Sequence, residues 1–387
     1  GGITNRKGVT ASGGHVIVTD GAKLTFADTA KLQQGSLIIN NGTVTVNSTD
    51  TNNKLDRLSV ANGSSLTLNS AMLVGTGDNA GPTENNGTIT NNSDAFVIGD
   101  AFSEGDRIFT NNGTINGEGE IELAYSTLDN NGTITNDVTL TQSSSVLNSK
   151  YEDMTGNVTL SNSSATYKIL SDSVTFDDAN RIQGTKGKLY VGGNILSDAD
   201  LSYTGNVYLM NGAALTKGNG NVFQNASNLY IGTGEDDIVL ASLNILNGEN
   251  DALDYGNRLH LGHSSRLGVD MDWGDTLTVD STYINASATL NINKLDITNA
   301  SGGENYVFAA GAKNIVSIEN IDLITATCMA NSVSYDNTTG SLSAARTSLS
   351  NVIRQAYLDF ADEDDYYNYS METDEIGNTT NRFTSNV

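Results

Sequence analysis

The chain has 387 residues, a formal net charge of −25 and a pI near 4.2. Contacts with nucleic-acid phosphates or anionic lipids need a surplus of Lys and Arg, so this charge argues against nucleic-acid binding and against electrostatic attachment to a membrane. No run of about 18 apolar residues occurs, which predicts no membrane insertion by a helix.

The composition indicates a folded chain that is rich in amides. It contains 48 Asn and 40 Gly but 1 Pro and 1 Cys, and 37% of its residues are hydrophobic. The single cysteine, Cys328, has no partner for an intramolecular disulfide, so the hydrophobic core must stabilise the fold.

Short runs that alternate an aliphatic with a Thr or another polar residue occur throughout the chain. Alternation with a period of two predicts short strands with one face in the core and the other in water. Such runs cover residues 16–18, 23–26, 36–39, 43–46, 65–68, 138–141, 158–160 and 276–279. Asn-Gly, Asp-Gly and Gly-Gly pairs between the runs predict tight turns.

The runs repeat imperfectly at intervals near 20 residues, which is typical of solenoids. The phrase Asn-Asn-Gly-Thr-Ile, or Val in its last position, occurs at residues 40–44, 85–89, 111–115 and 130–134. A second phrase, Leu-x-aliphatic-Gly, occurs at residues 189–192, 229–232 and 259–262.

These repeats favour a parallel β-solenoid over a hairpin-built sandwich. A coil of about 20 residues places short strands around a core, and each strand pairs with its equivalent one coil away. Side-chain amides at stacked turns are expected to form hydrogen-bonded ladders. Residues 10–340 would then make about 15 coils of about 22 residues.

The C-terminal section has a different pattern, so the sequence predicts a solenoid over residues 1–340 and a separate segment over 341–387. Apolar residues at helical spacing from Leu342 predict a short helix that caps the solenoid or docks on a partner. Its proposed capping or assembly residues are Leu349, Val352, Ile353, Ala356 and Phe360. An acidic tail follows, with eight acids and no Lys or Arg between Asp359 and Glu375.

The Asn-Asn-Gly-Thr-Ile phrases, the Leu-Thr-Leu strands and the acidic, cysteine-poor composition resemble bacterial autotransporter passenger domains and related repetitive surface adhesins. Residues 321–327 look like the closing coil of such passengers. The resemblance implies export to the extracellular cell surface, a right-handed parallel β-helix, and a role in adhesion, aggregation or surface display.

Few residues suggest chemistry. Glu235, Asp236 and Asp237 follow Gly232-Thr233-Gly234 and resemble one turn of a calcium-binding β-roll, but such rolls need tandem turns, so a solvated turn is the competing interpretation. His260 and His263 are three residues apart, which on a strand turns them to opposite faces. Asp270 and Asp272 form the carboxylate pair that a polysaccharide-active β-helix enzyme would use.

Three tyrosines occupy equivalent positions in similar strand phrases. Tyr190, Tyr208 and Tyr230 are expected to stack by lateral packing, and the alternative is an exposed binding stripe.

We therefore predict an all-β, right-handed parallel β-helix with a short C-terminal helix and an acidic tail. Its predicted function is non-enzymatic adhesion or aggregation on a bacterial surface, with no cofactor except weakly bound calcium. Expected partners are other copies, end to end or side by side, or a surface glycan or protein. One alternative is a subunit of a head-to-tail extracellular filament. A polysaccharide-active enzyme is the third interpretation.

Overall fold

The computed structural model describes residues 9–12, 14–33, 35–75, 82–99, 107–296, 305–307, 309–310, 316–318, 328–336, 341–348, 367–373 and 379–385. The chain divides into two compact units. The first, here called the solenoid unit, comprises Gly1–Asn244, Tyr255–Gly268 and Asp280–Leu290. The second unit comprises Ile245–Asp254, Val269–Val279 and Asn291–Val387.

The solenoid unit is a parallel β-solenoid, as the repeats predict. It has about 12 coils, whereas the sequence predicted about 15 over residues 10–340. Sheet A runs through all of these coils and receives one parallel strand from each. Its parallel strands are His15–Val18, Ser36–Ile39, Arg57–Val60, Thr83–Asn85, Arg107–Asn111, Ser126–Asn130, Val146–Ser149, Thr166–Ile169, Lys188–Val191, Asn206–Leu209, Asn228–Ile231 and Leu259–Leu261.

Three further sheets complete the coils of the solenoid unit. Sheet B contains Ala22–Phe26, Gly42–Val46, Ser65–Leu68, Thr88–Asn91, Thr114–Asn116 and Thr133–Ile134. Sheet C contains Lys54–Leu55, Met72–Val74, Phe96–Gly99, Glu120–Ala124, Asp137–Leu140, Val158–Leu160 and Ile182–Gln183. Sheet D includes, within this unit, Ser173–Phe176, Asn194–Ser197, Ala214–Lys217 and Leu240–Asn244.

The core follows from the alternating pattern of the strands. In Gly42–Val46 the valines Val44 and Val46 are fully buried, whereas Thr43 and Thr45 are half-buried on the outer face. The next coil repeats the arrangement, since Leu66 pairs in register with Val44 and Leu68 with Val46. Each coil thus adds a layer of aliphatic side chains, and each fully buried Leu or Val stabilises the fold by about 1.5–3 kcal/mol.

The repeated Asn-Asn-Gly phrases form the predicted amide ladders. In the copy at residues 40–44 both asparagines are exposed. In the three copies at residues 85–89, 111–115 and 130–134 the first Asn points inward: Asn85 Nδ2 donates to Asn111 Oδ1 at 2.7 Å, and Asn111 Nδ2 donates to Asn130 Oδ1 at 2.6 Å. Asn130 Nδ2 then donates to Ser149 Oγ at 2.8 Å. These four side chains are almost fully buried, so the ladder satisfies amides that would otherwise be costly to bury.

The second Asn of these three copies forms an exposed ladder beside the buried one. Asn131 Nδ2 donates to Asn112 Oδ1 at 3.0 Å, and Asn112 Nδ2 donates to Asn86 Oδ1 at 2.9 Å. The glycine that follows brings the turns close together, because a Cβ on Gly113 would clash with the carbonyl oxygen of Gly87 one coil away. In these three copies, each residue of Asn-Asn-Gly therefore has a structural role.

The first coil is covered at its sheet A edge by the chain itself. Val9–Ser12 pairs antiparallel with His15–Val18, in register from Val9 with Val18 to Ser12 with His15. A paired strand hides the backbone groups that an open edge would expose.

The second unit contains antiparallel hairpins. Cys328–Asp336 pairs with Ser341–Ser348, and Asn305–Val307 pairs antiparallel with Ser341–Ser348 as well. Its other strands are Thr276–Val279, Ala309–Ala310, Val316–Ile318, Tyr367–Thr373 and Thr379–Ser385. The division between the units falls within Ala252–Gly256, Arg266–Asp272 and Thr289–Asp296.

The predicted start of the C-terminal helix is wrong. Residues 341–348 form a strand, because their backbone groups pair with residues 328–336 across an antiparallel ladder. Leu349, Val352, Ile353, Ala356 and Phe360 lie outside the described residues, as does the closing coil expected at 321–327. The domain boundary near residue 340 stays a prediction. Among the described residues, the single helical element is the 3₁₀ turn Ser281–Tyr283.

Candidate functional site

Three tyrosines and a histidine stack on the outer face of sheet A, and we call them the aromatic stack. The ring centroids of Tyr190 and Tyr208 are 4.6 Å apart, as are those of Tyr208 and Tyr230 and those of Tyr230 and His260. The interplanar angles are 13°, 12° and 28°. This spacing follows from the parallel register, which places the four residues directly above one another in successive coils.

A line of polar side chains fixes the orientation of the histidine. Asn228 Nδ2 donates to Asn206 Oδ1 at 2.9 Å, which turns the Asn228 carbonyl toward the next coil. His260 Nε2 lies 2.8 Å from Asn228 Oδ1 and donates to it. This contact holds the His260 ring nearly parallel to the Tyr230 ring, so His260 extends the stack.

Burial favours the neutral forms of three of the stacked side chains, Tyr190, Tyr208 and His260. Burial lowers the pKa of His260 and raises the pKa of Tyr190. The pKa of Tyr208 rises to about 12, first through burial and then through its neighbours Tyr230 and Tyr190. Neutral rings stack without charge repulsion, and each aromatic pair adds about 0.5–1.5 kcal/mol beyond area burial.

The rings of the aromatic stack cover one another's faces. Tyr208 and Tyr230 each have a ring on both sides, and Lys168 Nζ lies 5.8 Å from the centroid of the Tyr190 ring. The stacking predicted for Tyr190, Tyr208 and Tyr230 is confirmed, and their paired faces are not open to a flat ligand.

A groove of about 470 Å³ lies at the His260 end of the aromatic stack. It is lined by Tyr230, Gly232, Thr233, Gly234, Glu235, His260, Leu261, Gly262, His263, Thr282, Tyr283, Ile284 and Asn285. Gly232 adopts φ +73°, and a Cβ there would clash with Ser265 Oγ. The groove therefore has a floor of backbone between walls of aromatic and polar side chains.

Tyr283 ends the stacking. Its ring centroid is 4.9 Å from that of His260, but the two planes are inclined by 75°. The residue remains 41% exposed. It lies on the turn Ser281–Tyr283, which Asp280 caps by accepting from Thr282 N at 3.0 Å and from Thr282 Oγ1 at 2.8 Å.

The proposed calcium ligands lie beside this groove on the loop that follows Asn228–Ile231. Glu235, Asp236 and Asp237 are all exposed. Asp237 Oδ2 accepts from Thr233 N at 2.9 Å and from Thr233 Oγ1 at 2.8 Å, so it ties the loop to itself. Over the part of the chain that the structure describes, no three or more His, Cys, Asp or Glu residues are grouped to hold a metal ion. Calcium at this loop stays an untested prediction.

The proposed carboxylate pair, Asp270 and Asp272, belongs to the second unit, where Asp272 and its neighbour Asp275 cap backbone turns. Asp272 Oδ2 accepts from Asn247 N at 2.9 Å and from Gly248 N at 2.7 Å. Asp275 accepts from Asp251 N and from Asp272 N, each at 2.7 Å. Asp275 is fully buried, and burial raises its pKa to about 6. Asp270 is half-buried, and burial raises its pKa too.

The sequence interpretation missed His260 as a stack member, although a signal was present. His260 occupies the variable position of the phrase Leu-x-aliphatic-Gly, where Tyr190 and Tyr230 stand in the earlier copies. His263 lies in the turn after the strand and contacts Ser264 Oγ through Nδ1 at 3.0 Å. Both histidines line the groove, although the prediction placed them on opposite faces.

Across the described ranges, no helix combines the length and the apolar character that crossing a bilayer requires. Comparisons with family models, with curated proteins and with solved structures found no significant match to this chain.

Proposed function

We propose that this protein is an exported, non-enzymatic β-solenoid that works in adhesion or aggregation on a bacterial surface. The observation that carries the proposal is that side chains of successive coils bond to or stack on one another. The ladder of Asn85, Asn111 and Asn130 and the aromatic stack both bond or pack along the solenoid axis. Such side chains make a rigid scaffold with a long lateral surface.

Asp272 of the proposed carboxylate pair and its neighbour Asp275 support the same proposal. Asp272 and Asp275 accept backbone N–H groups at 2.7–2.9 Å, which is the chemistry of a structural cap. A general acid or base must instead reach the reacting atoms of a substrate. The enzyme interpretation predicts that a broad glycan panel yields cleavage products, and that Asp270→Asn or Asp272→Asn abolishes them.

The finer features of the fold belong to the proposal as well. We infer right-handed winding from the resemblance to passenger domains. The apolar spacing of Leu349, Val352, Ile353, Ala356 and Phe360 still favours a helix after residue 348, as a cap or an assembly segment.

The filament alternative requires unlike ends that pair between copies. Val9–Ser12 already occupies the first edge of sheet A, where a preceding copy would have to add. Electron microscopy of purified protein distinguishes the surface adhesin from the filament subunit. Isolated particles are expected for the adhesin, and continuous fibres for the filament subunit.

Display of the chain on a non-adherent bacterial cell tests the main proposal. We expect the displaying cells to aggregate or to adhere to host-cell or bacterial surfaces, and cells that display an unrelated domain of similar charge to do neither. Displaying cells that behave like this control would contradict the proposal.

A further inference from the structure

The groove beside His260 has the chemical features of a sugar site. Its volume of about 470 Å³ lies within the range of about 300–1,000 Å³ that is typical of small-ligand sites. It combines aromatic walls with exposed polar side chains, among them Glu235, Thr233 and Thr282. A site of this kind binds a ligand that has both an apolar face and many hydroxyl groups.

Tyr283 supplies the apolar contact. The other aromatic rings of this surface stack face to face, whereas Tyr283 is turned by 75° and is 41% exposed. The cap by Asp280 holds its turn in place, so little ordering would be needed on binding. A tyrosine ring offers a rigid apolar body with a polar tip, which suits the C–H face of a pyranose.

The polar partners and the charge define the class of sugar. The Glu235 carboxylate can accept hydrogen bonds from sugar hydroxyls. The Thr233 and Thr282 hydroxyls, which donate to Asp237 and Asp280, can accept from a sugar as well. The neighbouring acids Asp236 and Asp237 and the net charge of −25 repel anionic ligands such as uronates, sialic acids and phosphorylated sugars.

We propose that this groove binds the end of a neutral oligosaccharide, with one pyranose ring against Tyr283 and its hydroxyls bonded to Glu235. The inference rests on the proposed adhesive function, because it names the class of partner that the adhesive surface contacts.

The test is calorimetric titration of the full chain with neutral hexose and N-acetylhexosamine tetrasaccharides, and with uronate-containing tetrasaccharides of the same length. Saturable binding of a neutral tetrasaccharide is expected. Tyr283→Ala and Glu235→Gln should each weaken it tenfold or more. Two matched controls should stay within twofold: Tyr190→Ala at the far end of the aromatic stack, and Asp236→Asn on the same loop outside the groove.

The results separate the inference from the proposed function. A wild-type protein that binds no neutral tetrasaccharide, binds uronates better, or binds equally well as Tyr283→Ala and Glu235→Gln overturns the inference. If displaying cells still adhere in that case, the adhesive proposal stands without this groove. If the protein binds a neutral tetrasaccharide through the groove but the displaying cells do not adhere, the inference stands and the adhesive proposal is overturned. Circular dichroism checks that Tyr283→Ala is folded. If Tyr283→Ala misfolds, Glu235→Gln still tests the inference.

Discussion

At the residue scale, two buried tyrosines differ in a way that a sequence pattern does not reveal. Tyr167 and Tyr255 are both 1% exposed in the solenoid unit. The Tyr255 hydroxyl donates to the carbonyl oxygen of Val222 at 2.8 Å, whereas the Tyr167 hydroxyl has no hydrogen-bond partner. A buried polar group without a partner costs about 1–3 kcal/mol.

This difference predicts opposite effects for the same substitution. Tyr167→Phe should leave stability unchanged or raise it by about 1 kcal/mol, because it removes an unsatisfied hydroxyl. Tyr255→Phe should lower stability by about 1–2 kcal/mol, because the Val222 carbonyl loses its donor. Urea unfolding of both variants measures the difference, and equal losses for the two would contradict this account.

The carboxyl of Asp275 predicts a pH dependence of known sign. Burial raises its pKa to about 6 in the folded protein, from 3.8 for the free group. The folded state therefore binds this proton more tightly than the unfolded state, so the contribution of Asp275 to the free energy of unfolding falls as pH rises from about 4 to 6. The expected loss is on the order of 3 kcal/mol.

Asp275→Asn isolates this contribution, since other groups shift in the opposite direction. The hydrogen bond from Ser171 lowers the pKa of Glu152, for example, which adds stability that is lost on acidification. We expect the difference in unfolding free energy between wild type and variant to change across pH 4–6. A difference that stays constant over this range would exclude Asp275 as the titrating group.

At the scale of the structural element, two adjacent asparagines carry out different tasks in one turn. Asn111 stands in the buried ladder between Asn85 and Asn130, and Asn112 stands in the exposed ladder between Asn86 and Asn131. Water can replace the bonds of Asn112, but it cannot easily reach the partners of Asn111.

Asn111→Ala and Asn112→Ala therefore form a matched pair. Asn111→Ala should cost about 2–4 kcal/mol, because it leaves a buried donor on Asn85 and a buried acceptor on Asn130. Asn112→Ala should cost less than about 1 kcal/mol. The shift of the urea midpoint measures both, and a larger effect of Asn112→Ala would show that the ladders do not differ as their burial indicates.

At the scale of the whole molecule, the repeat makes one coil a removable unit. Asn111 and Asn130 are equivalent positions 19 residues apart, so deletion of residues 112–130 joins two strands in register. Each coil of a solenoid contacts its neighbours only, which means that the ladders can re-form across the deletion.

We expect the protein without residues 112–130 to keep its β-type circular dichroism and to unfold only slightly more easily. Deletion of residues 112–121, which removes about half a coil, should cause aggregation or loss of structure, because the shortened coil cannot place the following strands beside their equivalents in the preceding coil. Similar behaviour of the two deletions would argue against coil-by-coil stacking.

The sequence alone determined the solenoid, its short strands and its amide ladders. These features depend on local periodicity: alternation of two within a strand and a phrase that returns once per coil, as in Asn111-Asn112-Gly113 and Asn130-Asn131-Gly132. The stacking of Tyr190, Tyr208 and Tyr230 followed from the same logic, because equal positions in equal phrases meet in parallel register.

The tertiary structure alone decided the groove and the C-terminal strand. The groove unites three segments around Gly232, His260 and Tyr283, and no repeat relates the turn of Tyr283 to the strands before it. Helical spacing from Leu342 gave the wrong element for residues 341–348, since long-range pairing with residues 328–336 satisfies their backbone groups. Periodicity records contacts within and between equivalent coils, whereas these features arise where the repeat ends and only distant contacts remain to set the structure.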